Sequence, residues 1–227
     1  MSGTTEIAIE TSTSEASVAW RVAGAGGGEE PFSSDRSHNS GVFGPLGRVL
    51  GPLRAGDVGT LIVGTGPGSY SGVRIGIAAA QGVAMVYGCA VAGVPSLLGT
   101  AQARSGGRWL AVGDARRGSW FVAVIVAGRL VDDPVLCAAD EFRARVAGEL
   151  AGGAGVFSVD PVEQLALDAE LAGRVERAWP GAGLLLDAWA EWDDGERGRW
   201  LGVAPQPVYL RDAFISESKR GHPLTRG

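Results

Sequence analysis

The stretch Thr65 to Gly82 (TGPGSYSGVRIGIAAAQG) follows a short apolar run, TLIVG, and opens an apolar segment with the composition of a helix. A glycine turn between a strand and a helix is where backbone N–H groups cradle phosphates. The register excludes the familiar versions. G-x-x-x-x-G-K-[ST] fails for want of a lysine, and G-x-G-x-x-G fails because Ser69 or Ser71 stands where the last glycine is needed. G-x-S-x-G fails because Pro67 precedes Gly68 and Ser69. Gly66, Pro67, Gly68 and Ser69 therefore read as a tight structural turn. Ser69 or Ser71 would act as a nucleophile only beside a base. The chain has two histidines, His38 and His222, neither with a partner at i+4, so Ser–His chemistry and histidine-based metal sites are both disfavoured. No catalytic residue and no metal site is predicted.

Two carboxylates are better placed. Glu10 ends the run IAIE and Asp114 ends WLAVGD, and a short polar turn follows each. Paired turns of this kind can hold a nucleotide's phosphates on backbone N–H groups, with a carboxylate on magnesium. On that reading Glu10, Thr11, Ser12, Asp114 and Arg116 are the candidate nucleotide residues, with Arg117 adding charge. The alternative is two solvated acids beside two solvated arginines.

The helix predicted after the glycine turn carries Gly72, Gly76, Ala80, Ala84 and Gly88 every four residues, a ridge of nearly bare backbone. Each interior glycine costs about 1 kcal/mol relative to alanine, so close packing must offset it. The ridge meets either the protein's own lobe or a partner helix. Arg74 lies off it, as a surface or ion-pair residue.

The elements that hold these residues alternate between strand and helix. TEIAIETSTSEASVAWRV reads as a hairpin and Gly24 to Gly28 as a loop. Helices are predicted at Ser40 to Arg54, with Val42, Phe43 and Leu46 at helical spacing, and at Ser71 to Tyr87. Strands are predicted at 60–64 and 90–94, followed by a helix at 96–104. After the polar break ARSGG the opening pattern restarts: a strand ending in Asp114, a turn, and a return strand, SWFVAVIVA. This weak repeat predicts a duplicated α/β lobe, residues 1–104 and 105–227. Beyond it come a third meander strand at 129–136, a helix at 139–150, a strand at 155–159, helices at 165–175 and 183–192, and an extended PVYL at 207–210. The end from Lys219 reads as a tail.

Composition narrows the class. A net charge of −5, with a single lysine, makes a poor stand-alone nucleic-acid binder. Cys89 and Cys137 form no C-x-x-C pair. MSGTTEIAIE lacks a basic n-region, and no apolar run of about 18 residues occurs, so a cytoplasmic chain with no membrane span is expected.

The chain resembles the bacterial TsaB (YeaZ) family of tRNA threonylcarbamoyladenosine biosynthesis proteins. GTGPGSYSGVRIGIAAAQGVA, Gly64 to Ala84, is similar to that family's G-x-GPGS-[FY]-[ST]-G-[LV]-RIG signature. IAIETSTSEASVA, WLAVGDARRGSWFVA and PVYLRDA agree with it in order and spacing, and SHNSGVF at 37–43 agrees more weakly. The resemblance implies a two-lobed α/β fold, actin-like and sugar-kinase-like (the ASKHA class), with duplicated mixed-sheet lobes. It implies a non-catalytic subunit that docks on its catalytic paralogue TsaD and works with TsaE, meeting tRNA indirectly, to transfer threonylcarbamoyl to the adenosine beside the anticodon. The implied contact helices are Ser40 to Arg54 and Ser71 to Tyr87, which gives Val42, Phe43, Leu46, Gly72, Arg74, Gly76, Ala80 and Ala84 as the expected interface. No cofactor is expected to bind this chain tightly, with ATP or ADP and magnesium at the complex interface. A homodimer through the same face is expected when the partner is absent. Glu10 stands where the family usually has Asp, and its longer side chain is expected to crowd a phosphate site. Competing classes are an ATP- and magnesium-dependent enzyme of the actin-like superfamily and, less favoured, a glycoprotease-like peptidase.

Overall fold

The apolar runs IAIE and ASVAW pair as the opening hairpin of a computed structural model that describes residues 4–33 and 41–210. β1 (Thr5–Glu10), β2 (Glu15–Val22) and β3 (Gly26–Ser33) form an antiparallel meander. On the other side of β1, β4 (Val58–Gly64) and β5 (Ala90–Val94) run parallel to it, giving the order β3-β2-β1-β4-β5. The outer face of this sheet carries α1 (Phe43–Leu50) and α2 (Tyr70–Tyr87). A 3-10 turn (Ser96–Gly99) and α3 (Ala101–Arg104), capped by Thr100, lead out of it.

The second sheet repeats the plan. β6 (Arg108–Asp114) is flanked on one side by β7 (Trp120–Val126), with β8 (Arg129–Leu130) and β9 (Val135–Cys137) antiparallel to it. On the other side lie the parallel strands β10 (Gly155–Ser158) and β11 (Val175–Arg177). α4 (Ala139–Ala151) covers its outer face through Phe142, Val146 and Leu150. In both sheets the first strand is central, with a hairpin to one side and parallel strands to the other. This is the duplicated mixed-sheet α/β architecture predicted from the repeat.

Between the sheets lies one shared core. Ala8, Ile62 and Ala92 of the first sheet and Ala111, Phe121 and Phe157 of the second meet Leu97, Leu98, Leu185 and Trp189. Leu185 and Trp189 belong to α6 (Ala182–Glu191), which packs on β1 and β2, and α7 (Asp194–Leu201) packs on β5. The chain thus crosses to the second sheet near residue 105 but returns to the first after residue 178. Sequence order alone assigned all of 105–227 to the second lobe, because nothing local marks the return.

Other elements also differ from the prediction: the strand expected at 129–136 is split into β8 and β9, and the helix expected at 96–104 into a 3-10 turn and α3. The Gly24–Gly28 loop is a turn into β3, where Gly28 leaves room for Trp20: an added Cβ would lie 2.6 Å from the indole ring. Pairing with β2 overrides low strand propensity there. The predicted helix at 165–175 breaks into α5 (Ala169–Ala172) and β11. The polar segment of α7 carried a readable signal in its capping box, Asp193 with Glu196. Residues 34–40 and 211–227, with His38, His222 and parts of the SHNSGVF and PVYLRDA motifs, lie outside the described residues. Among those described, no helix is long and apolar enough to cross a membrane.

The small-residue ridge of α2 faces inward. Gly72, Gly76 and Ala80 are buried, and Ala84 is half-buried. A Cβ on Gly72 would lie 2.1 Å from the Thr11 carbonyl oxygen, and one on Gly76 would lie 2.3 Å from the Thr11 hydroxyl oxygen. Val42 and Leu46 are likewise buried in the core beneath α1 and α2. Of these six, the five buried residues cannot form the docking surface expected of them, because their own sheet occupies that face. The opposite face of α2 is exposed: Arg74, Ala78, Gln81, Gly82 and Met85 face solvent, and nothing lies within 4 Å of a Cβ built on Gly82. Two substitutions on one helix should therefore move stability in opposite directions. Gly72→Ala should destabilise by about 1–3 kcal/mol through overpacking against backbone, whereas Gly82→Ala should stabilise by about 0.5–1 kcal/mol through helix propensity. Urea denaturation of both variants measures this; equal effects would contradict the inward ridge.

Candidate functional site

The carboxyl ends of the parallel strands in both sheets open onto a cleft of about 840 Å³. Open α/β sheets bind ligands at such strand ends. Its walls are the turn after β1 (Ser12 to Ser14), the glycine turn after β4, the turn after β6 (Asp114 to Arg116), Asp160 after β10 and Arg177 at the end of β11. Residues 207–210 close one side.

Serine and glycine chemistry builds the glycine turn. Ser69 caps α2, its hydroxyl accepting from the Gly72 N–H, and Gly88 ends the helix in a left-handed conformation. The Gly66 N–H donates to Ser96 Oγ at 2.9 Å, and the Ser96 N–H donates back to the Gly66 carbonyl. The turn then folds over the first hairpin. The Ser69 N–H donates to the Ser12 carbonyl at 2.6 Å. Gly68 comes so near that a Cβ would lie 2.3 Å from the Ser12 carbonyl oxygen.

This cover decides what the first hairpin can do. Glu10 and Thr11 do not reach the cleft. The Thr11 hydroxyl donates to the Gly72 carbonyl at 2.8 Å. Glu10 is fully buried, with Oε1 accepting the Ser12 N–H at 2.6 Å. Its other oxygen packs against the bare backbone of Gly64, where an added Cβ would lie 1.9 Å away. The longer side chain is accommodated by turning back under the turn, so it does not crowd a phosphate site as expected. Glu10 Oε2 and Ser12 Oγ are buried without a hydrogen-bond partner. Burial pushes the Glu10 carboxyl above its ordinary range, against weaker opposing help from Ser12, Ser96 and Thr11.

The second hairpin is more open. The Asp114 carboxylate accepts the Arg116 N–H at 2.7 Å and pairs with the Arg116 guanidinium at 2.8 Å. The Asp114 N–H donates to Asp160 Oδ2 at 2.9 Å. Burial raises the Asp160 carboxyl, opposed by that N–H and by Arg116 and Arg177. Burial lowers the Arg177 guanidinium from its ordinary value, and its Nη1 has no hydrogen-bond partner. The structure thus brings Ser12, Asp114 and Arg116 together in the cleft, adds Asp160 and Arg177, and leaves Glu10 and Thr11 behind it. Asp160 was legible in principle, since it follows the strand GVFS much as Asp114 ends WLAVGD. Arg177 was missed because the strand that carries it, β11, begins where the segment read as helix, 165–175, was taken to end.

A magnesium nucleotide gripped by both hairpins does not fit these residues. The first turn is covered, its acid is enclosed, and Asp114 already pairs with Arg116. Among the described residues no group of three or more metal-ligating side chains occurs. The upward push on the Glu10 carboxyl has a measurable consequence. Below about pH 4.5 the carboxyl is protonated in both folded and unfolded chains. As pH rises toward the raised folded value, only the unfolded chain ionises, so stability is lost. Glu10→Gln should match the parent near pH 4 and become more stable toward neutral pH, by about 1.4 kcal/mol per unit separating the two pKa values. A difference independent of pH in denaturation from pH 4 to 8 would overturn the assignment.

The family described as TsaD, tRNA N6-adenosine threonylcarbamoyltransferase, matches residues 25–180. The tRNA threonylcarbamoyladenosine biosynthesis protein TsaB of Escherichia coli (strain K12) is 45% identical over 71 residues. The aligned stretch spans 30% of this chain and 31% of that protein, about a third of the curated relative's length. YeaZ from Pseudomonas aeruginosa superposes with a TM-score of 0.66 at 24% identity, covering 91% of this chain and all of that one. A second crystal structure, described as an uncharacterized protein with similarity to peptidase YEAZ from Pseudomonas aeruginosa, gives the same TM-score and identity over 92% of this chain and 100% of that one. These superpositions carry the fold, and the match over more than half of the chain carries the family: the protein belongs to the TsaD family, among relatives named TsaB and YeaZ.

Proposed function

We propose that this chain is a non-catalytic subunit of the machinery that places threonylcarbamoyl on the adenosine beside the anticodon of tRNA. It docks on a TsaD homologue through the outer face of α1 and α2. The single observation behind this reading is the character of that face. Phe43 is 58% exposed, Met85 87% and Val86 72%. Between and beside them are glycines with no internal reason to be glycine: a Cβ on Gly47 or Gly82 would meet nothing within 4 Å, and one on Gly44 only Arg48 at 3.7 Å. Gly72 and Gly76 are accounted for by Thr11; the outer glycines are not. A bare-backbone surface with exposed large apolar side chains permits a close helix–helix approach.

α1 and α2 lie over one core, and the Tyr87 hydroxyl donates to the Leu50 carbonyl at 3.2 Å, tying their ends together. A paralogue presenting its own equivalent pair is the partner that fits such a face. A TsaE homologue completes the assembly, and tRNA is met through the partner, in keeping with the −5 net charge. Any nucleotide and magnesium are assigned to the complex interface, since the first hairpin is covered. Without its partner the same face pairs two copies as an isologous dimer. Of the residues expected to dock, Phe43 and Arg74 stay on the surface, now joined by Gly44, Gly47, Gly82, Met85 and Val86.

The test is titration calorimetry of this chain against the TsaD homologue of its own organism, with light scattering of each protein alone. Gly82→Leu and Met85→Asp should both remain folded, weaken the complex about thirtyfold or more and convert the homodimer to monomer. A complex retained at full affinity in both variants would sink the docking reading, and turnover by the isolated chain would sink the accessory role.

A further inference from the structure

Residues 203–210 form an irregular strap after α7, themselves neither helix nor strand. Pro205 is buried against β5, where a Cβ on Gly93 would lie 3.0 Å from its own Cβ. The Val208 N–H donates to the Thr65 carbonyl at 2.8 Å, immediately before the glycine turn. Leu210 packs on the core between the sheets. The strap is also a partition. Thr65 and Val208 line the 840 Å³ cleft on one side and a second cavity of about 670 Å³ on the other.

The far end of the strap reaches the outer face of α2. The Arg74 guanidinium donates to the Tyr209 hydroxyl at 2.7 Å. It sits 4.0 Å from the Tyr70 ring centroid and 5.7 Å from that of Tyr209. Tyr70 is 64% exposed and Tyr209 53%. Arg74 is one turn before Ala78 and two before Gly82, so this stack heads the same exposed stripe that the docking reading uses. A hydrogen bond from a cation and a cation–π contact are both weak in water and strengthen when water is excluded.

We propose that Tyr209 belongs to the partner-covered surface, and that covering the Tyr70–Arg74–Tyr209 stack fixes the strap across the cleft between the sheets. The docking face and the cleft are then one coupled system, with the Val208–Thr65 hydrogen bond as the link. This inference rests on the docking reading above. Coupling is reciprocal, so whatever loosens the strap weakens docking by the same factor that docking tightens the strap.

Hydrogen exchange of the full chain, free and bound to the TsaD homologue, tests it. In the free chain, Tyr209→Ala should speed exchange at the Val208 amide about fivefold or more. Adding partner should slow that amide in the parent chain. Tyr209→Ala should bind the partner about five- to tenfold more weakly with its thermal midpoint unchanged, and Tyr209→Phe, which keeps the ring, should recover part of the loss. Parent-like affinity in Tyr209→Ala, or Val208 exchange that docking leaves unaltered, overturns the coupling while leaving docking intact. Failure of the parent chain to bind at all overturns the docking reading itself, and the coupling with it.

Discussion

Everything distinctive about the first lobe follows from how closely α2 approaches Thr11. The helix can lie on the turn after β1 only because positions 72 and 76 have no Cβ; either one would strike Thr11 within 2.3 Å. Thr11 answers with a hydroxyl donated to the Gly72 carbonyl. That contact draws the start of the helix down onto the hairpin. The glycine turn must then cross directly above Ser12, and Glu10 is sealed beneath it without a partner for its second oxygen. One steric requirement thus closes the first hairpin as a phosphate cradle and fixes which face of α2 looks outward.

The second lobe shares the topology without that contact, and the comparison explains the cleft. The turn after β6 carries Arg116 and Arg117 in left-handed conformations, with φ of 65° and 55°. Asp114 remains at the cleft, bound to the backbone and side chain of Arg116 rather than buried. Duplication produced two hairpins facing each other, but only one has a helix seated on its turn. The cleft is accordingly lined by carboxylates and guanidinium groups from the second lobe and mainly by glycine and hydroxyl residues from the first.

Much of this was legible in the residues. The hairpins, the strand–turn–helix order around Thr65 and the repeat across residue 105 follow from local patterning, where one period or one turn signal decides. The direction of the glycine ridge was left open by its spacing and turned outward by the family resemblance, although the sequence carried the discriminating feature. Spacing of four marks a face but not what meets it. The polar residues Arg74 and Gln81 lie away from the ridge and Val73, Ile77 and Val83 beside it, which points the ridge inward. The strand character of β3 and the return of α6 to the first sheet could not be read that way. Both are set by long-range contacts, Trp20 over Gly28 in one case and the inter-sheet core around Trp189 in the other.

Small residues on both faces make α2 an unusually thin helix over its central turns. Inward, Gly76 and Ala80 bring the backbone close to β1 and β4; outward, Ala78 and Gly82 leave it bare. Long side chains on either side would act as compliant spacers, because their rotamers absorb small displacements. Without them, a body resting on the outer face is separated from the hairpin turn by little more than one backbone, and interiors at close-packed density transmit displacement rather than absorb it. The intrinsic helix stability given up at Gly76 and Gly82, about 1 kcal/mol each, is therefore offset on only one side within this chain. At Gly76 the compensation is visible in the contact with Thr11. At Gly82 nothing within the chain supplies it, which is the physical ground for the proposal that the outer face is one half of an interface.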